Sequence, residues 1–171
     1  DGEFRKLWNE DNSPITHADV EEQAWYGYNK VTTLCFLDDG TLLCFNSESV
    51  GGKTSLIALK DDKWTDLNNP NFITTAGFSF AYAKDMFKDS RGLVWFCNNN
   101  WQTACLACYQ PSSGASKSYR SFVNQDGKNY TIYYVSCVTE DIEGNIWIGT
   151  DVGPLMLPAS QIGTDDDTFT Q

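Results

Sequence analysis

The chain has 171 residues, with 23 acidic against 12 basic side chains. The resulting net charge of −11 disfavours both a phosphate-tracking surface for nucleic acid and an anionic membrane surface. A hydrophobic content of 41% with 14% aromatics excludes a disordered chain, and no uninterrupted apolar stretch reaches the ~18 residues of a membrane-spanning helix. The chain opens on Asp1-Gly2-Glu3, without Met or a basic leader, so it reads either as processed or as a piece of something longer.

Residues 1–8 read as a strand, because Asp1 to Leu7 resembles the later stretch from Asp61 to Leu67. A polar connection over 9–30 follows, holding Trp25, Tyr26 and Tyr28. From Val31 the pattern changes to an apolar run, the turn Leu37-Asp38-Asp39-Gly40, and a second apolar run. A third strand is expected over 55–59 and a fourth over 63–67. The same order then recurs. Around Gly92 and again around Gly144, an acidic turn joins two apolar runs, and the spacing is 52 residues both times (92 − 40 = 52; 144 − 92 = 52). In the second unit a third strand is expected over 104–109 and a fourth over 117–123. In the third unit they are expected over 153–157 and 168–170.

A repeat of about 40–50 residues built from short strands is the signature of β-propeller blades. The expected fold is therefore all-β: three four-stranded blades over 31–67, 80–123 and 135–171, preceded by one leading outer strand of another blade. Propellers close with typically 4–8 blades, so the chain is expected to be part of a larger propeller or to self-associate.

The turns Asp89-Ser90-Arg91-Gly92 and Asp141-Ile142-Glu143-Gly144 share the form D-x-x-G. Asp at the first position accepts hydrogen bonds from the backbone two residues on, and Gly at the fourth tolerates the left-handed conformation of a bulged hairpin turn. Asp89, Gly92, Asp141, Gly144 and Gly40 are thus structural turn residues. Trp95 and Trp147 each stand three positions after the glycine, where the first unit has Leu43, and they read as packing between neighbouring blades. The six cysteines fall inside apolar runs and read as small hydrophobes. Cys105-x-x-Cys108 lacks a second ligand pair, and residues three apart in a strand point to opposite faces, so no metal is expected. Cys35 and Cys44 lie opposite each other across a two-residue turn but offset by one across a bulged turn.

Residues 138–153 read VTEDIEGNIWIGTDVG and closely resemble the two-component regulator propeller repeat, with Pro154 intruding before Leu155. The second unit keeps Lys88-Asp89, Gly92 and Trp95 but has Phe96-Cys97-Asn98 where Ile-Gly-Thr is expected; the first keeps the hairpin glycine and the apolar frame. This resemblance implies a periplasmic or cell-surface sensor region. In Bacteroidetes such propellers precede a membrane helix and a histidine kinase and respond to glycan breakdown products. Related propellers occur in type IX secretion components, which gives a structural or protein-interaction role as the alternative.

In a four-stranded blade the D-x-x-G turns lie at one end. The second-to-third-strand loops and the connections between blades lie at the other. At that loop end the sequence concentrates Trp25, Tyr26, Tyr28, Asn98, Asn99, Asn100, Trp101, Tyr130 and Tyr133. Aromatic faces with neutral amides suit an oligosaccharide ligand; long loops also fold back to bury their aromatics, and the sequence leaves both readings open. No catalytic residue and no cofactor are expected. His17 is the single histidine and has no flanking nucleophile signature, and the D-x-x-G turns resemble sialidase Asp-boxes, which are themselves structural. The acidic run Asp165-Asp166-Asp167 reads as solvated.

Overall fold

The computed structural model describes residues 3, 6–17, 29–49, 55–67, 69–73, 77 and 79–171. Its first sheet contains β1 (Val31–Phe36), β2 (Leu42–Asn46), β3 (Leu56–Lys60) and β4 (Lys63–Asp66), in that spatial order and antiparallel throughout. The second repeats the design with β5 (Ala83–Lys88), β6 (Val94–Asn98), β7 (Cys105–Gln110) and β8 (Ala115–Tyr119). A short hairpin of β9 (Phe122–Asn124) and β10 (Asn129–Tyr130) follows. The third repeat sheet is β11 (Val135–Glu140), β12 (Ile146–Thr150) and β13 (Gly153–Leu157). The last strand, β14 (Thr168–Phe169), runs parallel to β9.

The sheets pack face to face through two seams. Leu43, Phe45 and Leu56 of the first meet Ala83, Met86, Val94 and Phe96 of the second. Trp95, Cys97 and Leu106 on the other side of the second meet Val135, Val138, Ile146, Ile148 and Leu155 of the third. β6 is consequently buried along its whole length, which is why Val94-Trp95-Phe96-Cys97 is a continuous apolar run, as in any strand covered on both faces. In β12 only Ile146 and Ile148 are buried while Trp147 is 37% exposed, because among the described residues just one face is covered. The connection before β5 inserts Phe72 and Phe80 into the first seam, with ring centroids 4.9 Å apart for Phe72 and Phe96 and 6.0 Å for Phe45 and Phe80. Each such ring stabilises the fold by roughly 1.5–3 kcal/mol through burial.

Two expectations need correction. Residues 117–123 do not form one strand: β8 ends at Tyr119 and β9 starts at Phe122 in another sheet. Arg120 turns the chain there, its guanidinium Nη2 donating to the carbonyls of Ile73 (3.1 Å) and Asn71 (3.3 Å). The third unit has three ladder strands rather than four. Thr170 exchanges two 2.8 Å backbone hydrogen bonds with Met156 of β13, but the residues before it pair with β9. Most of the leading segment, residues 1, 2, 4 and 5, lies outside the described residues; Lys6 and Leu7 belong to no strand, and Trp8 packs edge-on against Trp64 of β4 with centroids 5.5 Å apart.

The cysteines are all free thiols. Cys35 stands opposite Leu43 and Cys44 opposite Leu34, the offset of a bulged turn. Cys105 enters the first seam and Cys108 the second, on opposite faces of β7. Burial pushes both thiols up to about 12, which suppresses the thiolate that metal binding and disulfide exchange require.

Candidate functional site on the loop face

At the turn end, the two D-x-x-G hairpins are closed by their aspartates. Asp89 Oδ1 accepts from the backbone N–H groups of Arg91 (2.9 Å) and Leu93 (2.8 Å), and Oδ2 accepts the indole N–H of Trp95 at 2.8 Å and two guanidinium N–H groups of Arg91. Asp141 repeats the pattern: Oδ1 takes the N–H groups of Glu143 and Asn145 at 2.9 Å, and Oδ2 takes the Trp147 indole at 2.7 Å. That indole bond, followed by those from Asn145, holds the Asp141 carboxyl at about 2, below its ordinary value. Gly92 and Gly144 have φ of +85° and +83°. The Asp-to-indole bond was not anticipated from sequence, although the constant six-residue spacing from Asp to Trp carries it. Trp95 is completely buried in the second seam, stacked 6.1 Å from Tyr119. Both carboxylates thus hold their hairpins closed, each oxygen accepting at least two hydrogen bonds.

The opposite end is different. Lys30, Tyr82 and Tyr134 stand 52 residues apart (82 − 30 = 52; 134 − 82 = 52), each immediately before the first strand of its sheet. Ser47, Asn99 and Asp151 form the matching series just after the second strand. The two series are joined within each unit. Ser47 N–H donates to the Lys30 carbonyl (2.7 Å) and Asn99 N–H to the Tyr82 carbonyl (3.0 Å), while Asp151 Oδ1 accepts from Tyr133 and Tyr134 N–H (3.1 Å each). Between units, the Lys30 ammonium lies 4.2 Å over the Tyr82 ring and pairs with Glu48 at 2.7 Å. The result is a backbone-anchored row of side chains along the loop end, with Trp101 61%, Tyr82 52%, Tyr133 50% and Tyr134 45% exposed.

The residues singled out in the sequence divide accordingly. Asn98 is fully buried: its amide nitrogen donates to the carbonyl and hydroxyl of Thr103 (both 2.8 Å), and its oxygen accepts from Tyr82 N–H (3.0 Å), so it holds the 99–104 loop in place. Asn100 caps that loop by accepting from Gln102 N–H at 2.9 Å and presents Trp101 outward. The Asn99 side-chain oxygen is buried without a hydrogen-bond partner among the described residues. Tyr130 is half-buried against the second seam, and its hydroxyl meets Gln171. Trp25, Tyr26 and Tyr28 lie outside the described residues. Tyr82 was missed; its signal is the 52-residue spacing from Tyr134. His17 Nδ1 lies 3.0 Å from Glu10 on the exposed surface, and among the described residues no group of three or more His, Cys, Asp or Glu side chains could hold a metal ion.

Repeated antiparallel sheets, packed face to face with hairpin turns at one end and an anchored loop row at the other, define a β-propeller segment. Residues 129–152 match the family of the two component regulator propeller, spanning the third D-x-x-G hairpin. No curated protein matches the chain. Among solved structures, PorZ, a surface component of the type-IX secretion system of Porphyromonas gingivalis, is similar with TM-score 0.72 and 15% identity. The match covers 98% of this chain and 22% of PorZ. The extracellular domain of a hybrid two component system from B. thetaiotaomicron is similar with TM-score 0.55 and 14% identity, over 91% of this chain and 20% of that one. The chain thus spans about a fifth of the length of these structures. At these identities the likeness establishes the propeller fold. The periplasmic or cell-surface location expected from the sequence agrees with where both neighbours reside.

Proposed function

We propose that this chain is a non-enzymatic, ligand-sensing β-propeller segment of an extracytoplasmic two-component regulator. Its ligand is a neutral, glycan-derived oligosaccharide bound across the loop face. The observation that carries this reading is the anchored row of Tyr82, Trp101, Tyr133 and Tyr134, four exposed aromatics on hydrogen-bonded loops at one end of two adjacent sheets. Aromatic faces stack on the C–H faces of sugar rings. Binding across adjacent blades favours one blade arrangement over another, which an attached output module would read as a population shift.

In this reading the uncovered faces are completed by further blades of the same polypeptide or by a second copy. Leu34 and Phe36 of β1 are exposed, whereas Met86 and Val138, which stand 52 and 104 residues after Leu34, are buried against the preceding sheet. A structural or protein-interaction role on the cell surface is the second reading, favoured by the higher TM-score of the secretion component.

Calorimetric titration of the intact protein with a panel of neutral oligosaccharides separates the two. The sensor reading expects a saturable sugar that loses at least ten-fold in affinity on Trp101→Ala, with folding stability unchanged within about 0.5 kcal/mol because the ring is exposed. If no sugar binds, or if Trp101→Ala binds as tightly as the wild type, the loop row is not a glycan site and the interaction scaffold becomes the account.

A further inference from the structure

A cleft lies at the opposite end from the loop row, between blades one and two. It has a volume of about 520 Å³ and is walled by Leu37, Leu43, Ala58 and Leu67 of blade one, with Tyr109 and Lys88 of blade two facing them. Small-molecule sites commonly fall between about 300 and 1,000 Å³.

The repeat explains why the cleft is there. Counting 52 residues forward, Leu37 corresponds to Asp89 and Leu43 to Trp95. Strand register supplies the other two matches. Ala58 sits opposite Leu43 as Cys108 sits opposite Trp95, and Leu67, bonded to Leu56 at 3.0 Å, takes the place of Tyr119, which pairs with Leu106. In blade two these four positions hold an aspartate, an indole, a thiol and a phenol: Trp95 bonds Asp89 and stacks on Tyr119, and it fills the seam. The space left between blades two and three, beside Leu93, Cys108 and Tyr119, is about 150 Å³. In blade one, Trp is replaced by Leu, Cys by Ala and Tyr by Leu, so the ring that closes the seam is missing. The charged groups around the mouth are already paired: Asp38 with Lys88 at 2.8 Å, Asp39 with Lys60, and Arg91 with Asp89 at 2.8 Å.

We propose that this cleft is a binding site for a small neutral molecule carrying an aromatic ring of about indole size, which takes the position that Trp95 occupies one blade further on. The aliphatic walls favour a flat apolar ring, and the paired charges disfavour an ionic ligand, whose desolvation nothing there would repay. The site is independent of the loop row: its walls come from the turn hairpins and from the inner faces of the two sheets, none of which the oligosaccharide reading uses.

The test is an amide NMR titration of the intact protein with indole. The expected result is a saturable shift confined to Leu37, Gly40, Ala58 and Gly92. The double variant Leu37→Asp/Leu43→Trp, which installs the pair present in blades two and three, should weaken it at least ten-fold. Leu67→Tyr, a single change to the residue that blade two carries, narrows the cleft without touching the hairpin and should weaken binding in the same direction; it serves if the double variant fails to fold. Absence of saturation up to the solubility of indole, shifts centred on Tyr82 and Trp101 instead, or equal affinity in the folded variants would each overturn the proposal.

Discussion

Blade two closes against blade three around an indole, whereas the seam between blades one and two is packed by Phe45, Phe72, Phe80 and Phe96 but leaves a cleft at its turn end. Both seams are framed by the same backbone: a bulged first strand, a hairpin turn ending in a left-handed glycine, and a second strand buried at its centre. The ladder and the turn are set by backbone hydrogen bonds and by glycine, so they survive a change of side chain. Whether the seam is filled depends on four side-chain positions that the ladder does not constrain. A repeat protein can therefore keep its architecture while opening one interface, because each blade contacts only its neighbours.

This comparison can be broken most strongly at Trp95. Trp95→Ala removes a completely buried ring and the indole N–H that Asp89 Oδ2 accepts, and should cost about 3–5 kcal/mol in denaturant unfolding. Leu43→Ala, beside a cleft that is already open, should cost about 2 kcal/mol. Equal losses at the two sites would mean that the seams are packed alike.

The glycines sharpen the contrast between the turns. Gly92→Ala meets only the left-handed backbone, with open space around the added carbon, and should cost about 1–2 kcal/mol. Gly144→Ala carries the same strain, and its added carbon would also lie 2.9 Å from Arg91 Nη1, which donates to the Gly144 carbonyl at 2.6 Å. It should therefore be the more destabilising of the two in thermal melts, and the reverse order would contradict the cross-blade role of Arg91.

A smaller effect concerns acid. The carboxyl of Asp141 is lowered to about 2 by the Trp147 indole and by Asn145. A carboxylate with a lowered folded pKa contributes stability that is fully present above its unfolded value, near 3.8, and is lost as pH falls through about 2. The indole N–H resonance of Trp147 should hold its position down to about pH 3 and move with a midpoint near pH 2; Asp141→Asn should abolish that titration. A Trp147 resonance that titrates in the wild type and in the variant alike would show that the bond does not set the shift.

How far the sequence reached follows from the same physics. The strands of the first two units, the hairpins and the face-to-face packing were legible because 52-residue periodicity, turn chemistry and apolar runs are local signals. The break at Arg120 was not, since it depends on carbonyls of Asn71 and Ile73 almost fifty residues earlier. Nor was the pairing of β14 with β9, a parallel contact between segments that share no local pattern. At the loop end, composition pointed to Asn98 as readily as to Trp101. The structure separates them because Asn98 has a backbone carbonyl and a hydroxyl within reach on its own loop, whereas Trp101 is 61% exposed. The cleft between blades one and two was visible only as a mismatch, Leu where its equivalents are Asp and Trp, and its volume required the register of all four strands.

The measurement that tests this contrast most directly is a double-mutant cycle at positions 37 and 43. Leu37→Asp alone places a carboxylate on an apolar wall and should destabilise, and Leu43→Trp alone brings an indole without its acceptor. Together they should recover about 1–3 kcal/mol relative to the sum of the single changes, because the carboxylate-to-indole bond of blades two and three then closes the first seam as well. Strictly additive effects would contradict the account, since they would mean that the two positions do not meet in blade one as Asp89 and Trp95 do in blade two.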